Sequence, residues 1–317
     1  MGYEFKQGVR EAVGLLIGLI GPSGSGKTMS AMRLATGIVG PGNKFAIIDT
    51  ESRRALHYAD QFQFDHCELS APFRPTVYAE AIKAADAAGY KAIVVDSCSH
   101  EWAGENGILD WHEEELQRMA GDDWKKREAC KMAAWIKPKM SHKQMVQRLL
   151  QSKAHLILCF RAEEKIKMEK DATGKIQIIP QGWQPVCSKE MPYELTVSFL
   201  LHSDKPGIGQ PIKLQEQHKS IFPTGKLLDE SSGKAVAEWA RGGVSPDPPL
   251  STDTEKAEEV KAATQGQLKT IHMLMGKKGI TDRERILEDL GGYCGRVIHS
   301  SKELTFEEAH GFIQANL

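Results

Sequence analysis

The sequence predicts an α/β fold with a mostly parallel central sheet, followed by a small C-terminal helical module. Two observations lead to this prediction. From residue 15 to about residue 241, short apolar runs alternate with stretches of helical periodicity, as in sheets whose parallel strands are joined by helices. After residue 263, three Thr-x-x-Glu/Gln patterns each precede an apolar-periodic run, which is how many helices begin.

Composition and charge narrow the class of protein. The chain has 317 residues, of which 41% are hydrophobic and 26% charged, as in ordinary globular proteins. Its net charge is −1, so any binding of nucleic acid must come from local basic patches. The six cysteines form no C-x-x-C pair, which argues against a zinc site or a disulfide framework. No apolar run near the start is long enough to span a membrane, and we expect a cytoplasmic protein.

The elements follow in order along the chain. Eight apolar runs are predicted strands, namely residues 15–20, 44–49, 66–69, 92–96, 156–160, 193–201, 211–215 and 220–222. Helical periodicity marks residues 27–38, 76–88, a long stretch at 107–152, and 232–241. These elements give a first domain at residues 1–243, with a helical insertion at 107–152 and a hairpin loop at 161–180. Residues 244–263 are rich in Pro, Ser, Thr and acid, which predicts a flexible linker, and residues 264–317 form the helical module.

The first chemical motif is a phosphate-binding loop. It matches G-x-x-x-x-G-K-[ST] between a predicted strand and a predicted helix, and it consists of Gly21, Pro22, Ser23, Gly24, Ser25, Gly26, Lys27 and Thr28. Its glycines allow backbone N–H groups to surround a polyphosphate at the positive end of a helix. Lys27 is expected to reach the β- and γ-phosphates, and the Thr28 hydroxyl to bind Mg²⁺. The motif predicts ATP and Mg²⁺ as ligands.

Two acidic residues complete the predicted catalytic set. An apolar strand ends at Asp96, which is the form that holds Mg²⁺ in such sites. The next residue is Ser97, so a water-activating glutamate cannot follow directly. The strand at residues 44–49 runs into Glu51, and ligands of open α/β sheets lie at the carboxyl ends of strands. Glu51 is therefore the expected general base, with Glu101 in reserve.

These segments resemble a known family. In order and spacing, GPSGSGKT, FAIIDTESRRALHYA, AIVVDS and HLILCF are similar to the ATPase core of RecA recombinases, a RecA-type P-loop NTPase core. In that family the glutamate after the second strand activates water, which is the role expected here for Glu51. The segments QGWQPVCSKEMPYELTVSFLL and SIFPTGKLLDESSGKAVAEW resemble phage-encoded RecA-like ATPases of single-strand annealing and recombination. The resemblance implies a phage protein acting in the bacterial host cytoplasm.

Two segments are candidate surfaces for single-stranded DNA. Residues 118–153 contain ten basic and three acidic residues with interleaved tryptophans, a combination that suits phosphates and stacked bases. The hairpin loop lies where the RecA relatives place a DNA-binding loop. A solvated helical face and a plain β-hairpin are the respective alternatives. The candidate residues are Lys125, Lys126, Arg127, Lys131, Trp135, Lys137, Lys139, Lys165 and Lys167.

The resemblance also implies self-association. RecA-type sites lie between subunits, and a lysine or arginine of the neighbour contacts the γ-phosphate. Lys213 and Lys219 occupy the region where the family carries such lysines, so we expect a ring or filament, although both could be ordinary strand lysines. After the fifth strand the family carries a polar sensor, and this chain has Arg161 or Ala162 there instead of an amide.

Three classes of function remain open from the sequence. The leading hypothesis is a DNA-stimulated ATPase of phage-type recombination or annealing. The second is a P-loop kinase for a small molecule, with residues 161–175 as a lid. The third is a non-catalytic, ATP-switched loader or adaptor that binds a replication or recombination protein through residues 264–317. A single-strand-binding protein is the expected partner there, because the tail resembles modules of phage recombination proteins and has no basic excess.

Overall fold

A computed structural model describes residues 13–170, 176–242, 263–294 and 298–316. The chain divides into two compact units, Met1–Pro246 and Asp247–Leu317. The predicted linker falls almost wholly outside the described residues. Among the described residues, no helix is both long and apolar enough to cross a membrane.

The first unit is built on an eight-stranded sheet. Its strands are β1 (Leu16–Gly21), β2 (Phe45–Asp49), β3 (Phe64–Glu68), β4 (Ala92–Asp96), β5 (His155–Lys170), β6 (Ile176–Pro185), β7 (Val197–Leu201) and β8 (Gly209–Lys213). The order is β3-β2-β4-β5-β1-β7-β8, and β6 pairs with β5 outside this path. All pairs are parallel except β5 with β6 and β7 with β8. The predicted α/β class with a mostly parallel sheet is confirmed.

Helices cover both faces of this sheet. They are α1 (Lys27–Val39), α2 (Pro75–Ala87), α3 (Ser99–Ala103), α4 (Ile108–Ala120), α5 (Trp124–Cys130), α6 (Ile136–Leu150), α7 (Met191–Glu194) and α8 (Glu230–Arg241). Successive strand residues point to opposite faces, so Ile17 and Leu19 join the core under α1 and α8, whereas Leu16 and Ile20 join the core under α2 and α6. Burial on both faces explains why the strands are continuous apolar runs in the sequence.

Two predicted strands differ from the structure. The run at 193–201 begins as the short helix α7 and becomes a strand only at Val197, because Pro192 suits the first turn of a helix. The run at 220–222 is not a strand. Instead, the backbone N–H groups of Ile221 and Phe222 donate to the carbonyl of His218, so these residues form a turn. Both side chains are buried in the core. A short apolar run in a sequence predicts that its side chains are buried, but it does not predict whether its backbone forms a strand or a turn.

The second unit is a small helical bundle. It contains α9 (Gln265–Lys277), α10 (Arg283–Cys294) and α11 (Phe306–Ala315) around a core that includes Ile271, Leu290 and Phe312. The predicted capping boxes at residues 264 and 305 are present. The third helix start differs by one residue, since α10 begins at Arg283 and the Asp282 carboxylate, not Thr281, accepts from the backbone N–H of Arg285 at 3.2 Å.

Candidate nucleotide site

The phosphate-binding loop leaves β1 at Gly21 and enters α1 at Lys27. Gly24 and Gly26 have φ angles of 77° and 82°, a region that glycine adopts at low cost. A Cβ on Gly26 would also lie 2.9 Å from the backbone nitrogen of Gly207. The loop therefore requires glycine at both positions. The loop ends at the positive end of α1 and lines the adjoining cleft, and such a helix N-terminus favours anions.

Lys27, Thr28 and Asp96 lie together at the mouth of this loop. The Lys27 ammonium donates to the carbonyls of Gly21 and Pro22, both at 2.8 Å, and burial lowers its pKa. The Thr28 hydroxyl donates to Asp96 Oδ2 at 2.5 Å. Burial raises the pKa of Asp96, and the hydrogen bond from Thr28 opposes that rise. A hydroxyl and a carboxylate side by side are oxygen ligands of the kind that Mg²⁺ prefers.

The carboxyl ends of β2 and β4 are tied together beside this group. The backbone N–H of Thr50 donates to the carbonyl of Asp96 at 2.8 Å, and the Thr50 hydroxyl accepts from the backbone N–H of Ser97 at 2.8 Å. Asp49 is fully buried, and its carboxylate accepts from the backbone N–H of Glu51 at 2.7 Å. These contacts fix the turn after β2, so Glu51 leaves the sheet directly next to Asp96.

Glu51, the predicted base, also lines the cleft. Its side chain is 16% exposed, and Oε1 accepts from Arg161 Nη2 at 2.8 Å and from Arg161 Nε at 3.2 Å. Arg54 Nη1 lies 3.6 Å from Oε2, and His100 Nε2 lies 3.9 Å from Oε1. Burial is the main cause that lowers the pKa of His100, with a smaller effect from Arg161 in the same direction. The carboxylate is therefore surrounded by basic groups.

These residues line one cleft of about 690 Å³. The predicted loop residues, the metal aspartate and the predicted base all contribute to it, apart from the first loop glycine and the buried serine of the loop. The lining residues are Pro22, Ser23, Gly24, Gly26, Lys27, Thr28, Met29, Glu51, Arg54, Tyr58, Asp96, Ser97, Ser99, His100, Ala103, Arg161, Ala162, Glu163 and Val186. The structure thus brings together Thr28, Glu51 and Asp96, of which the first and last lie 68 residues apart in the sequence.

Several lining residues were not predicted as site residues from the sequence. Examples are Tyr58, Ser99 and His100, which follow the carboxyl ends of β2 and β4. No motif marks them, because their place in the cleft depends on the pairing of those strands. Position after a strand end is the one signal that would have found them.

The reserve residue Glu101 lies outside the cleft. It is buried, and its carboxylate contacts His142 Nδ1 at 2.8 Å. His142 Nε2 in turn contacts the hydroxyl of Ser188 at 2.8 Å, and both of these residues are also buried. This chain of hydrogen bonds ties α3 to α6 and to the segment after β6. Glu101 is therefore enclosed by its own chain and does not face a nucleotide.

The two candidate trans-acting lysines differ in their surroundings. The Lys213 ammonium donates to the carbonyls of Tyr193 and Leu195, so it caps α7 of its own chain. Lys219 does not lie on a strand, as it follows a 3₁₀ turn and forms an i,i+3 ion pair with Glu216. Its side chain is 59% exposed.

The helical insertion neutralises much of its own charge. Four of the candidate DNA-binding residues in this insertion form ion pairs, which are Lys126 with Asp123, Arg127 with Glu113, Lys131 with Glu128, and Lys137 with Glu115. Trp135 stacks on His112 at 4.1 Å and on Trp102 at 6.0 Å, so both of its faces are in use. Lys125 and Lys139 have no acidic partner within the described part of the chain.

The hairpin extends beyond the sheet as β5 and β6. Its predicted turn at residues 171–174 lies outside the described residues. Cross-strand pairing places Ile166, Met168 and Ile178 on one face, and all three are exposed. Lys167 points to the other face and pairs with Glu169, while Lys165 lies at a bulge. The hairpin thus presents one apolar face and one face of mixed charge.

One comparison with known proteins finds a match. A family model described as an AAA domain matches residues 14–221. This range contains every residue that lines the cleft. No curated protein matches the chain.

Proposed function

The chain belongs to the AAA domain family of P-loop ATPases, and we propose that it couples ATP hydrolysis to single-stranded DNA in phage-type recombination or annealing. The observation that supports this most is the cleft itself. A glycine loop, a lysine, a hydroxyl–carboxylate pair and a second carboxylate all line it, and each has one role in phosphoryl transfer.

The proposed chemistry assigns these roles as follows. The loop amides and Lys27 hold the β- and γ-phosphates, and Thr28 with Asp96 holds Mg²⁺, which would neutralise charge on the phosphate oxygens. A water oxygen attacks the γ-phosphorus, the bond to the β-phosphate oxygen breaks, and the water proton passes to the Glu51 carboxylate. Glu51 suits this role because it lies one strand away from Asp96 and faces the same cleft.

The DNA part of the proposal depends on α6 and the hairpin. Helix α6 contains four basic residues and no acidic one, and Lys139, Lys143 and Arg148 have no ion pair among the described residues. Such cations can follow a phosphate backbone. The exposed apolar face of the hairpin offers contact to unstacked bases.

Two further parts of the proposal concern partners. Lys219 is the better of the two trans-acting candidates, because Lys213 is engaged within its own chain. We propose that Lys219 acts in a neighbouring subunit of a ring or filament. For the helical module we propose a single-strand-binding protein or another recombination protein as the partner.

Turnover measurements test the ATPase proposal. We expect Lys27→Ala to lose nucleotide binding, and Glu51→Gln to keep binding while its turnover falls ~10²-fold or more. Glu80→Gln, on the exposed face of α2, is the matched control and should hydrolyse ATP as the wild type does. Rapid hydrolysis by Glu51→Gln would show that another group activates the water.

DNA binding is tested separately by its dependence on salt. Each of Lys139→Ala, Lys143→Ala and Arg148→Ala should weaken binding to single-stranded DNA. Each should also reduce the slope of log affinity against log salt by about 0.7. Lys91→Ala, an exposed lysine outside this surface, should change neither quantity. ATP turnover that ignores DNA but responds to a metabolite would favour the kinase hypothesis instead.

A further inference from the structure

Arg161 lies where the hairpin, the phosphate-binding loop and Glu51 meet. Its Cα is paired with Gly21, the first residue of the loop, in the register of β1 and β5. Its backbone N–H donates to the Ser99 hydroxyl at 2.9 Å, and its carbonyl accepts from the backbone N–H of Val186 at 2.8 Å. The backbone of Arg161 is therefore held from three sides, and only its side chain has freedom to move.

The guanidinium of Arg161 serves as the strongest partner of Glu51. Two of its nitrogens contact Oε1, whereas Arg54 is farther away and mostly exposed. The Arg161 side chain is itself 51% exposed and lines the cleft. The pair therefore lines the cleft that the terminal phosphate of ATP would enter, and solvent at the half-exposed guanidinium weakens the ion pair.

A terminal phosphate is a stronger partner for this guanidinium than one carboxylate. It carries more negative charge and three oxygens, and the fork of a guanidinium can contact two of them at once. The cation of the loop itself, Lys27, is directed at the loop carbonyls of Gly21 and Pro22. Arg161 is thus a lining cation that contacts Glu51 and is paired in the sheet with the first residue of the phosphate-binding loop.

We propose that Arg161 is a latch on Glu51 that the γ-phosphate releases. Without ATP, Arg161 holds Glu51. With ATP, its guanidinium turns to the γ-phosphate oxygens and the Glu51 carboxylate becomes free to bind the attacking water. ADP lacks the third phosphate and leaves the latch closed. The proposal rests on the role of Glu51 in the proposed function, and it supplies from within the chain a cation that stabilises the transferred phosphoryl group.

Nucleotide affinities measured with Mg²⁺ test this latch. Titration of the full chain with ADP and with a non-hydrolysable ATP analogue gives the ratio of the two affinities. Arg161→Ala should reduce the preference for the ATP analogue about tenfold and reduce turnover ~10³-fold, the lower range for removal of a catalytic arginine. Arg161→Lys should restore part of the preference, because the charge returns without the fork. Arg241→Ala, an exposed arginine at the end of α8 and outside the cleft, is the matched control.

A double substitution separates a latch from a simple phosphate ligand. Glu51→Gln removes the competitor for Arg161, so it should strengthen binding of the ATP analogue severalfold. The same change in the Arg161→Ala background should leave that affinity unchanged. An affinity ratio and turnover of Arg161→Ala within twofold of the wild type would overturn the proposal, as would equal effects of Glu51→Gln in both backgrounds. Absence of turnover in the wild type would reject the proposed hydrolysis, while the affinity ratio would still decide the role of Arg161.

Discussion

At the scale of single residues, Asp49 determines where Glu51 points. It is 1% exposed, and its carboxylate accepts from the backbone N–H of Glu51 and Ala55 and contacts the His66 ring at 3.2 Å. Each contact is made by a charged acceptor in a buried place, so each is stronger than a neutral hydrogen bond. Asp49 is thus a positioning residue that does not line the cleft itself.

Replacement of Asp49 tests this positioning role. We expect Asp49→Asn to lower kcat about tenfold with little change in KM, because the turn that carries Glu51 loses an acceptor while the phosphate loop is untouched. The free energy of unfolding should fall by about 1–3 kcal/mol, since an amide group then faces a buried N–H. Asp65→Asn, a partly exposed aspartate that pairs with Lys44, is the control and should retain wild-type kcat. Wild-type kcat in Asp49→Asn would contradict the assignment.

The stability of the fold is expected to depend on pH through His155. Its ring is buried, and Nδ1 accepts from the backbone N–H of Leu15 at 3.1 Å, which requires the neutral imidazole. Burial lowers its pKa from the ordinary value of 6.5 to about 4. The unfolded chain therefore binds a proton more readily than the folded chain between these two values. The contribution to stability is complete above pH 6.5 and is lost as the pH falls toward 4.

Unfolding at two pH values checks this expectation. Between pH 7 and pH 5, His155 should account for about 2 kcal/mol of the loss in unfolding free energy. His155→Gln keeps an acceptor for the Leu15 N–H without titrating, so its loss over the same interval should be smaller by that amount. Denaturant titrations of both proteins at both pH values give the difference. Equal losses in the two proteins would show that His155 does not titrate as its burial implies.

The sequence was most informative about residues whose role is local. The phosphate loop, Thr28 and the strand-terminal Asp96 form patterns that need no knowledge of distant contacts, and the structure places all of them at one cleft. Glu51 could be found because a parallel sheet brings strand ends together. The role of Thr50 could not be found, because it depends on the pairing of β2 with β4. The role of Asp49 could not be found either, because it depends on how the turn after β2 folds and on the pairing of β2 with β3.

At the scale of elements, the crossing of α1 and α8 holds the helix of the phosphate loop in place. The two helices approach through glycines. A Cβ on Gly233 would lie 2.1 Å from the carbonyl oxygen of Leu34, and a Cβ on Gly37 would lie 2.2 Å from that of Glu230. Arg33 and Glu230 form a bidentate ion pair beside this crossing, in which Arg33 Nη2 lies 2.6 Å and Arg33 Nε 2.9 Å from Glu230 Oε2. Backbone atoms lie opposite each glycine, so no side-chain movement can make room.

An alanine at this crossing should destabilise the first unit. We expect Gly233→Ala to lower the free energy of unfolding by about 1–3 kcal/mol, the range for an overpacked core, despite the higher helix propensity of alanine. Gly276→Ala, in an open position of α9, has no such contact and should be neutral or stabilising by up to ~1 kcal/mol. Denaturant unfolding of both variants gives the comparison. A Gly233→Ala protein as stable as the wild type would mean that the helices separate at little cost.

The insertion shows where reasoning from a sequence window is weak. Residues 118–153 contain a large excess of basic residues, but Glu113 and Glu115 lie just outside that window on α4. The structure folds α5 and α6 back on α4, so these two carboxylates pair with Arg127 and Lys137. Packing of the three helices also encloses Trp135 in an aromatic stack. Charge counts along the chain cannot include such partners.

At the scale of the whole molecule, alternation of apolar runs and helices was enough to predict the fold class. The order of the strands in the sheet could not be predicted from the sequence. Each central strand is apolar on both faces, so its own residues do not show which strands lie beside it. The position of the site could still be predicted, because the carboxyl ends of parallel strands lie at one edge of the sheet whatever the order of the strands.

The first unit should bind and hydrolyse ATP without the helical module. Every residue that lines the cleft lies between positions 22 and 186, and the first unit has its own two-sided core. The helical module has a separate core. A protein of residues 1–246 should therefore bind the ATP analogue and hydrolyse ATP within about twofold of the full chain, because no group of the proposed chemistry is removed. Steady-state turnover and nucleotide titration of both proteins measure this. A tenfold or greater loss of turnover with intact folding of the short protein would show that the module contributes to the catalytic cycle, and it would then be more than a docking site for a partner.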